Sequence, residues 1–359
     1  MKICVVGLGN IGFNLFAYLL DRFSRDVVGV DVDGNRIREL EKRGYPVTQD
    51  YTGLADIDVW LMAPSTGKNG ENLFAALAAM AIRPGALISI ESTLPPGTMK
   101  RVENYLQGRG FRLGTDLFLI HVPHRVMFGV DQTVCDTPRV MGAFTEACLK
   151  KGREFYAPLV PNLVEVSDIR VVELSKIVEN VKRHIDVAFA EEIYRYCTEE
   201  GLDFAGLRRA VNSKENVELL GVDWGIGGEC LPKDLDFLRA VFSSPLLEGA
   251  ERADRQYRER IAGQVGNDRK VLVRGLSYKP GIKDLRHSRG VELLLKLEAQ
   301  GNIVWAEDSL FSPEELAEQG FRAYDLTQRK AGSHAEQPDI ILLREQPLQP
   351  IRKGDTPPH

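Results

Sequence analysis

The feature that most constrains the fold is a glycine-rich turn near the N-terminus. Gly7-Leu8-Gly9-Asn10-Ile11-Gly12 follows an apolar run, Lys2 to Val6, and opens a helical pattern that continues through Leu20. Glycines here allow a tight turn and bring a bound pyrophosphate close to the helix N-terminus. A second apolar run, Val27 to Val30, ends at Asp31, whose carboxylate can bind the ribose hydroxyls of adenosine and repel a 2′-phosphate. The pattern predicts a Rossmann-type NAD site, with a glycine turn in an unrelated α/β fold as the alternative.

Strand and helix patterns alternate in the first part of the chain. Apolar runs at Asp58 to Met62 and Leu87 to Ile90 flank a helical pattern from about Glu71 to Met80, and Leu117 to Val122 indicates a further strand. Such alternation predicts a doubly wound parallel sheet. A second strand–helix–strand unit begins at Lys270.

A long helical stretch lies between these two α/β segments. From about Val166 to Glu200 the chain has neither Pro nor Gly, and its apolar positions recur at helical spacing. A helix of this length usually spans domains or builds a dimer interface. We therefore predict an α/β protein with three domains. They are an N-terminal Rossmann-type NAD domain (1–165), a central long-helix domain (166–262) and a C-terminal Rossmann-like domain (263–359).

Composition narrows the functional classes. The formal net charge of −5 gives no electrostatic reason to expect a nucleic-acid partner. No apolar run approaches the roughly 20 residues that span a bilayer. The five cysteines form no CxxC pair, which indicates reduced thiols in a cytoplasm and neither a disulfide framework nor a metal site.

Two segments carry candidate chemistry. Lys176 and Asn180 lie one helical turn apart, so an ammonium and a carboxamide can donate to the same oxyanion. A solvated helix face is the alternative interpretation. The second segment, Gly225 to Asp234, places three glycines before Cys230, so that the backbone can approach a ligand closely. Lys233 can favour the thiolate and Asp234 can orient a water. A buried structural cysteine is the alternative here.

The run GGECLPKD, which contains Cys230, resembles the active-site signature of the UDP-glucose/GDP-mannose dehydrogenase family. Further segments match in the same order: GLGNIG, VDVDGNRI, ESTLPPGT at 91–98, ELSKIVEN and GLSYKPGIKDLRHS at 275–288. The resemblance covers about residues 1–310. It implies an NAD-dependent enzyme that oxidises the C6 alcohol of a nucleotide sugar to a carboxylate through a thioester on Cys230.

The resemblance also implies roles for individual residues. Cys230 is the nucleophile, Lys176 and Asn180 stabilise the oxyanions, and Asp234 positions a water. The residues implied for NAD are Gly7, Gly9, Asn10, Ile11, Gly12, Asp31, Arg36, Ser65, Thr66, Ser92, Thr93, Lys233 and Arg286. The residues implied for the nucleotide sugar, held by the C-terminal domain, are Arg125, Lys214, Gly225, Gly227, Tyr278 and Lys279. In the family a basic residue at the position of Lys214 reaches the partner's site, which implies a homodimer or larger homo-oligomer packed through the central helix.

The sequence departs from the family pattern after the strand near residue 120. The family has Pro-Glu there, whereas this chain has Pro123-His124-Arg125, so His124 replaces the glutamate expected to help thioester hydrolysis. A histidine with its ordinary pKa near 6.5 can act as the base itself. The change can equally indicate another substrate or slow release of the acyl group. The cysteine segment and GLSYKPG resemble the UDP-N-acetylhexosamine branch more than UDP-glucose enzymes.

Two other functions compete with this interpretation. A β-hydroxyacid dehydrogenase also combines a dinucleotide domain, a long helix and a Lys–Asn pair, but it needs neither Cys230 nor the third domain. A catalytically impaired NAD or nucleotide-sugar binding protein would account for His124 and for the short chain.

Overall fold

The computed structural model describes residues 1–67, 69–125, 137–324, 337–353 and 355. The chain divides into two compact units, Met1–Val178 and Glu179–His359. The division falls inside one long helix, α6 (Ile169–Glu200), which contributes residues to both units. The predicted division into three domains stays a prediction.

The first unit contains an eight-stranded sheet in the described part of the chain. Its strands are β1 (Ile3–Val6), β2 (Val27–Val30), β3 (Val47–Thr48), β4 (Val59–Met62), β5 (Leu87–Ile90), β6 (Phe118–His121), β7 (Arg139–Ala143) and β8 (Leu163–Val166). They are ordered β3-β2-β1-β4-β5-β6-β7-β8, and neighbouring strands are parallel except β6 and β7. The direction of the order reverses between β1 and β4, the place where sheets of this kind bind ligands.

Helices cover both faces of this sheet. Along β1, Ile3 and Val5 belong to one hydrophobic cluster, whereas Cys4 and Val6 belong to another. A strand buried on both faces is typical of a doubly wound sheet. Besides α6, the helices of this unit are α1 (Asn10–Phe23), α2 (Gly34–Lys42), α3 (Glu71–Ala79), α4 (Thr98–Gly108) and α5 (Glu146–Tyr156). The predicted Rossmann-type α/β fold is confirmed.

The second unit contains a smaller four-stranded sheet. Its strands are β9 (Lys270–Arg274), β10 (Ile303–Glu307), β11 (Ile340–Leu343) and β12 (Ile351–Arg352), ordered β10-β9-β11-β12. Its other helices are α7 (Phe204–Val211), α8 (Cys230–Arg239), α9 (Pro245–Gly263), α10 (Arg289–Ala299) and α11 (Pro313–Glu318). At one edge of this sheet, β12 pairs antiparallel with β11 through Ile351 and Arg352.

Helix α6 starts three residues later than the sequence pattern predicts. Leu163–Val166 forms β8, which pairs with β7 and extends the first sheet. Val166, the first residue of the predicted helical pattern, therefore pairs in the sheet as the last residue of β8. Four apolar side chains on α6 are about half exposed or more: Val171 (49%), Val178 (50%), Phe189 (60%) and Tyr196 (52%). They are two or about three turns apart, so they lie on one face of the helix.

Candidate active site

The glycine turn joins β1 to α1 in the geometry that a dinucleotide requires. Gly7 has φ +86°, and a Cβ there would lie 2.6 Å from the Pro64 backbone, so this position excludes a side chain. A Cβ on Gly12 would lie 1.8 Å from the carbonyl oxygen of Gly7. A Cβ on Gly9, by contrast, would meet nothing within 4 Å. Gly9 also caps α1 without a side-chain hydrogen bond, which leaves the helix N-terminus open to an anion.

Two charged side chains from the β2–α2 region lie at this turn. Asp31 Oδ2 accepts a hydrogen bond from the Leu8 backbone N–H (2.5 Å), and Oδ1 accepts from Asp33 N–H (2.9 Å). Arg36 Nε donates to the Leu8 carbonyl (3.0 Å), and its guanidinium lies over the Phe13 ring. Asp31 and Arg36 are therefore fixed beside the open side of the glycine turn, where the sequence predicted the adenosine ribose.

The loops after β4 and β5 also meet at the carboxyl edge of the sheet. Ser92 Oγ donates to the Pro64 carbonyl (2.6 Å), and Thr66 Oγ1 donates to the Thr93 carbonyl (3.2 Å). Ser65 accepts a hydrogen bond from Asn72 (3.1 Å). The hydrogen bonds of Ser92 and Thr66 thus join these two loops within the first unit, at the ends of the first and second strands beyond β1.

A buried group of charged residues lies behind these loops. Glu91, which follows β5 directly, is buried and has Arg139 Nη2 2.6 Å from its Oε2. His124 Nε2 is 3.0 Å from the same oxygen. The other oxygen, Oε1, accepts hydrogen bonds from Ser89 Oγ (2.6 Å) and from Tyr156 OH. We call Glu91, His124 and Arg139 the Glu91 cluster.

Burial and charge shift the pKa values in this cluster. Burial lowers the pKa of His124 to about 4, and the positive charges of Arg139 and Lys176 act in the same direction. Burial alone would raise the pKa of Glu91, but Arg139 and His124 outweigh it and hold this pKa at about 2. His124 is therefore neutral and Glu91 charged at neutral pH. The sequence interpretation assumed a histidine pKa near 6.5. Burial places the pKa of His124 well below that value.

Cys230 is the first residue of α8, so the segment Gly225 to Asp234 changes from irregular backbone to helix at the cysteine. Pro232 is compatible with this start because a helix needs no backbone N–H bond in its first turn. Cys230 is exposed. The helix N-terminus carries a partial positive charge, which suits a negatively charged sulfur or a developing oxyanion.

Asp234 lies one turn after Cys230 on α8 and is buried. Its Oδ2 accepts a hydrogen bond from Asn180 Nδ2 of α6 (2.5 Å), and Lys233 Nζ is 3.1 Å from Oδ1. Three of the predicted residues are thus brought together within the second unit. Lys176 lies one helical turn before Asn180, and its charge acts on His124 within the first unit.

The glycines before Cys230 contact the segment after β9. Gly228 has φ +79°, and a Cβ there would lie 3.5 Å from the Tyr278 ring. Gly228 N–H donates to the His287 carbonyl (3.0 Å). Burial, followed by the charges of Asp284 and Cys230, raises the pKa of Tyr278. Tyr278 therefore lies beside Cys230, which is the position expected of a residue that binds the substrate.

The glycine positions before Gly228 are closely packed. Gly225 has φ +119°, and a Cβ there would lie 2.5 Å from the Arg258 side chain. A Cβ on Gly227 would lie 3.2 Å from Arg289. Gly225 is thus required by its positive φ and its close contact, whereas Gly227 packs tightly against residues 287–289.

The remaining predicted residues are less closely connected to these groups. Arg286 pairs with Asp284 (2.6 Å), and its side chain is 71% exposed. Lys279 lies in a tight turn, because Ile282 N–H donates to its carbonyl (3.2 Å). Lys214 follows α7 and is exposed, and Arg125 Nη1 donates to the Pro138 carbonyl (3.2 Å). No described contact joins Lys214 to the cysteine segment.

The described residues contain no group of three or more His, Cys, Asp or Glu side chains placed to hold a metal ion. Cys4, Cys148 and Cys197 are buried and Cys230 is exposed, and none of these four cysteines forms a disulfide. Cys135 lies outside the described residues. Among the helices described, none is both long and apolar enough to cross a membrane.

The sequence interpretation missed Glu91 and Arg139. Glu91 opens the segment 91–98 that it quoted, but only the neighbours Ser92 and Thr93 were selected there, and Arg139 lies in no segment that it singled out. One signal was available, because a carboxylate that directly follows a buried strand lies at the edge where parallel sheets bind ligands. Its partner could not be found in this way, since Arg139 is 48 residues further along the chain.

Comparison with known proteins gives two family matches. Residues 170–250 match the central domain of the UDP-glucose/GDP-mannose dehydrogenase family. Residues 3–91, which contain the glycine turn, match a TrkA-N domain. The first match covers α7, the cysteine segment and α8, together with most of α6.

Individual relatives agree with the family matches. A UDP-N-acetyl-D-mannosamine dehydrogenase of Campylobacter jejuni is 24% identical, over 83% of this chain and 84% of that protein. An NDP-N-acetyl-D-galactosaminuronic acid dehydrogenase of Ralstonia nicotianae is 28% identical, over 83% of this chain and 80% of that protein. Among solved structures, a UDP-glucose dehydrogenase of Pyrobaculum islandicum shares the fold with a TM-score of 0.78. It is 21% identical, and the match covers 95% of this chain and 89% of that one.

Proposed function

We propose that this protein is an NAD-dependent nucleotide-sugar 6-dehydrogenase. The proposal starts from the match of residues 170–250 to the central domain of the UDP-glucose/GDP-mannose dehydrogenase family. It oxidises the C6 alcohol of a UDP-sugar to a carboxylate. The observation that carries the proposal is the exposed Cys230 at the start of α8, one turn before the buried Asp234. The names of the two relatives favour an N-acetylhexosamine as the sugar.

The glycine turn supports NAD as the cofactor. Gly9 has open space where a side chain would lie, so a pyrophosphate can approach the N-terminus of α1. Asp31 lies at the same turn, where its charge favours ribose hydroxyls over a 2′-phosphate. Ser65, Thr66, Ser92 and Thr93 line the neighbouring strand ends. These residues would hold NAD, which would supply the hydride acceptor for each of the two oxidations, one NAD molecule for each hydride.

Cys230 supplies the covalent step between the two oxidations. Its thiolate adds to the C6 carbonyl carbon of the aldehyde, a C–S bond forms, and the carbonyl oxygen becomes an oxyanion that takes a proton. Lys176 and Asn180 donate hydrogen bonds to this oxygen. A nucleophile is needed because the aldehyde hydrogen can leave as a hydride only after an atom has been added to the carbonyl carbon.

Hydrolysis of the thioester completes the reaction. A water oxygen attacks the acyl carbon, the C–S bond breaks, and the Cys230 thiolate is released with the carboxylate product. The water proton passes to a base. Asp234, whose Oδ1 has no aligned hydrogen bond within the described residues, can orient this water. His124, the residue in place of the family glutamate, is the base that we propose.

The exposed face of α6 supports a homodimer. Val171, Val178, Phe189 and Tyr196 form an apolar stripe on one face of this helix. Large exposed apolar patches on a protein surface indicate an interaction site. A second copy of the chain packed on this stripe would bury it, and Lys214 would then be available to the partner's nucleotide sugar. Tyr278, Lys279, Arg125 and the glycine segment complete the proposed sugar site.

The proposal can be tested with a panel of nucleotide sugars and NAD, read by NADH absorbance. UDP-N-acetylmannosamine, UDP-N-acetylglucosamine, UDP-N-acetylgalactosamine and UDP-glucose are the substrates to compare. The expected result is two NADH per sugar oxidised. Cys230→Ala should abolish steady-state turnover, whereas the matched control Cys197→Ala should retain it, because Cys197 is buried and free.

Each competing function gives a different result. A β-hydroxyacid dehydrogenase would produce one NADH per substrate and stay active in Cys230→Ala. A binding protein would produce no NADH with any sugar, although calorimetry would still detect its ligand. One NADH per nucleotide sugar would indicate arrest before the second oxidation and would contradict the proposed four-electron reaction.

A further inference from the structure

The Glu91 cluster is more elaborate than a buried histidine requires. Arg139 and His124 approach one oxygen of Glu91, at 2.6 and 3.0 Å. Ser89 and Tyr156 occupy the other. All three residues of the cluster are nearly or completely buried. An ionised carboxylate and a guanidinium are costly to bury, so such a pair is informative about function when it surrounds a candidate base.

The contact with Glu91 determines which ring nitrogen of His124 carries the proton. Nε2 lies 3.0 Å from Glu91 Oε2, although its N–H is not aligned with that oxygen. An unprotonated Nε2 would place its negative lone pair 3.0 Å from a carboxylate oxygen, which is repulsive even without alignment. The neutral ring is therefore protonated on Nε2. Nδ1 is then the basic nitrogen, and it has no hydrogen-bond partner among the described residues.

Burial, and after it the charge of Arg139, keeps the ring neutral beside a carboxylate. Alone, the charge of Glu91 would draw a second proton onto His124 and remove its basic lone pair. Arg139 shares Oε2 with His124 and cancels this charge at short range. Lys176 adds a further positive charge on the histidine. The charged groups that face His124 are Glu91, Arg139 and Lys176, and two of the three disfavour imidazolium.

We infer that Glu91 and Arg139 are positioning residues, which hold His124 as the neutral Nε2–H tautomer so that Nδ1 takes the proton of the hydrolytic water. The inference rests on the proposed function for the identity of the reaction. A histidine–carboxylate pair thus replaces the single carboxylate base that the sequence resemblance leads one to expect. The arrangement of the pair itself depends only on contacts within the first unit.

The tautomer can be measured without activity. The chain has six histidines, and ¹⁵N-histidine labelling of the full-length protein gives a small set of ring signals. His124→Gln identifies the His124 signals by their loss. The expected result is an Nε2–H tautomer that does not take a second proton between pH 8 and about 5. An Nδ1–H tautomer, or titration near 6.5, would overturn the inference.

Kinetics test the role of the pair. In Glu91→Gln, kcat should fall about 10²-fold with KM little changed, because loss of a correctly placed base slows hydrolysis rather than binding. Intact mass should show an acyl group retained on Cys230 after a burst of two NADH. Tyr156→Phe is the matched control, since it removes a hydrogen bond to Oε1 of Glu91 and keeps the aromatic ring beside Arg139. It should keep the kcat of the unchanged protein and accumulate no acyl enzyme.

A second variant covers the case in which Glu91→Gln does not fold. His124→Gln keeps an amide group where the ring approaches Glu91 but has no basic nitrogen, so it should fold and accumulate the acyl enzyme. Equal losses of kcat in Glu91→Gln and Tyr156→Phe, or no acyl enzyme in His124→Gln, would mean that the cluster is only structural. If no nucleotide sugar yields NADH, the proposed function fails, while the tautomer measurement still decides the pair.

Discussion

Two buried carboxylates, one in each unit, differ in how fully their oxygens are occupied. Glu91 has close partners on both oxygens, and one of them is the guanidinium of Arg139. Asp234 accepts from Asn180 on Oδ2, but its Oδ1 has only Lys233 at 3.1 Å and no aligned hydrogen bond among the described residues. A fully occupied carboxylate can hold a neighbour in place. One with an open acceptor position can bind a water or a substrate.

Arg139→Met should give the largest effect. Removal of the guanidinium leaves Glu91 charged and buried without its main counter-ion, so unfolding free energy should fall by about 3–5 kcal/mol. Urea denaturation at pH 7 measures the loss. Arg170→Ala is the control, because Arg170 is 80% exposed in its pair with Asp168 and should change stability by less than about 1 kcal/mol.

A double variant separates the charge effect from simple loss of packing. Glu91→Leu combined with Arg139→Met removes both charges and should recover part of the stability lost in Arg139→Met alone. If the double variant is less stable than Arg139→Met by the full cost of a second core substitution, the two residues act independently. The difference drawn between Glu91 and Asp234 would then lose its basis.

Sequence patterns predicted the parts of the molecule that depend on local order. The strands β2 and β5 have the predicted bounds. The glycine turn and Asp31 lie together as expected, because a β-α-β unit fixes their positions. The Glu91 cluster could not be predicted, since it joins one residue directly after β5, one in the loop after β6 and one in β7. The antiparallel β7 that supplies Arg139 has no distinctive local pattern.

The cysteine segment shows the other limit of sequence reasoning. Its glycines predicted a close backbone approach and Asp234 was selected as a candidate, but the helix start at Cys230 was missed. Glycine and proline near a helix N-terminus look like loop residues, although the first turn tolerates both. The hydrogen bond from Asn180 to Asp234 spans 54 residues and depends on the packing of α6 against α8.

Stability against pH should reveal the neutral state of His124. In the unfolded chain this histidine takes a proton as pH falls through about 6.5, whereas in the folded protein its pKa is about 4. The unfolded state therefore binds more protons in this window, and stability is lost as pH falls from 6.5 towards 4. Between pH 7 and pH 5 the loss from His124 should be about 2 kcal/mol.

His124→Gln should lack this share of the pH dependence when both proteins are compared by urea denaturation at pH 7 and pH 5. His121, whose pKa burial also lowers to about 4, contributes equally to both proteins and cancels in the comparison. Glu91 contributes only below about pH 4.5, outside this window. The same pH dependence in both proteins would show that His124 keeps its ordinary pKa in the folded state, and a steeper loss of stability in His124→Gln would show that the folded protein holds His124 protonated beside Glu91.

The smallest effect on stability is expected at the open carboxylate. Lys233 is 28% exposed and lies 3.1 Å from Asp234, while Asn180 binds the other oxygen. Lys233→Ala should therefore cost about 1 kcal/mol of unfolding free energy, and the exposed pair of Lys182 with Asp186 offers a control near zero in Lys182→Ala. NAD affinity should fall in Lys233→Ala alone, as measured by titration. A loss near that of Arg139→Met would mean that Asp234 relies on a single counter-ion as Glu91 does, and its role in orienting water would be untenable, because such a carboxylate would have no acceptor position to spare.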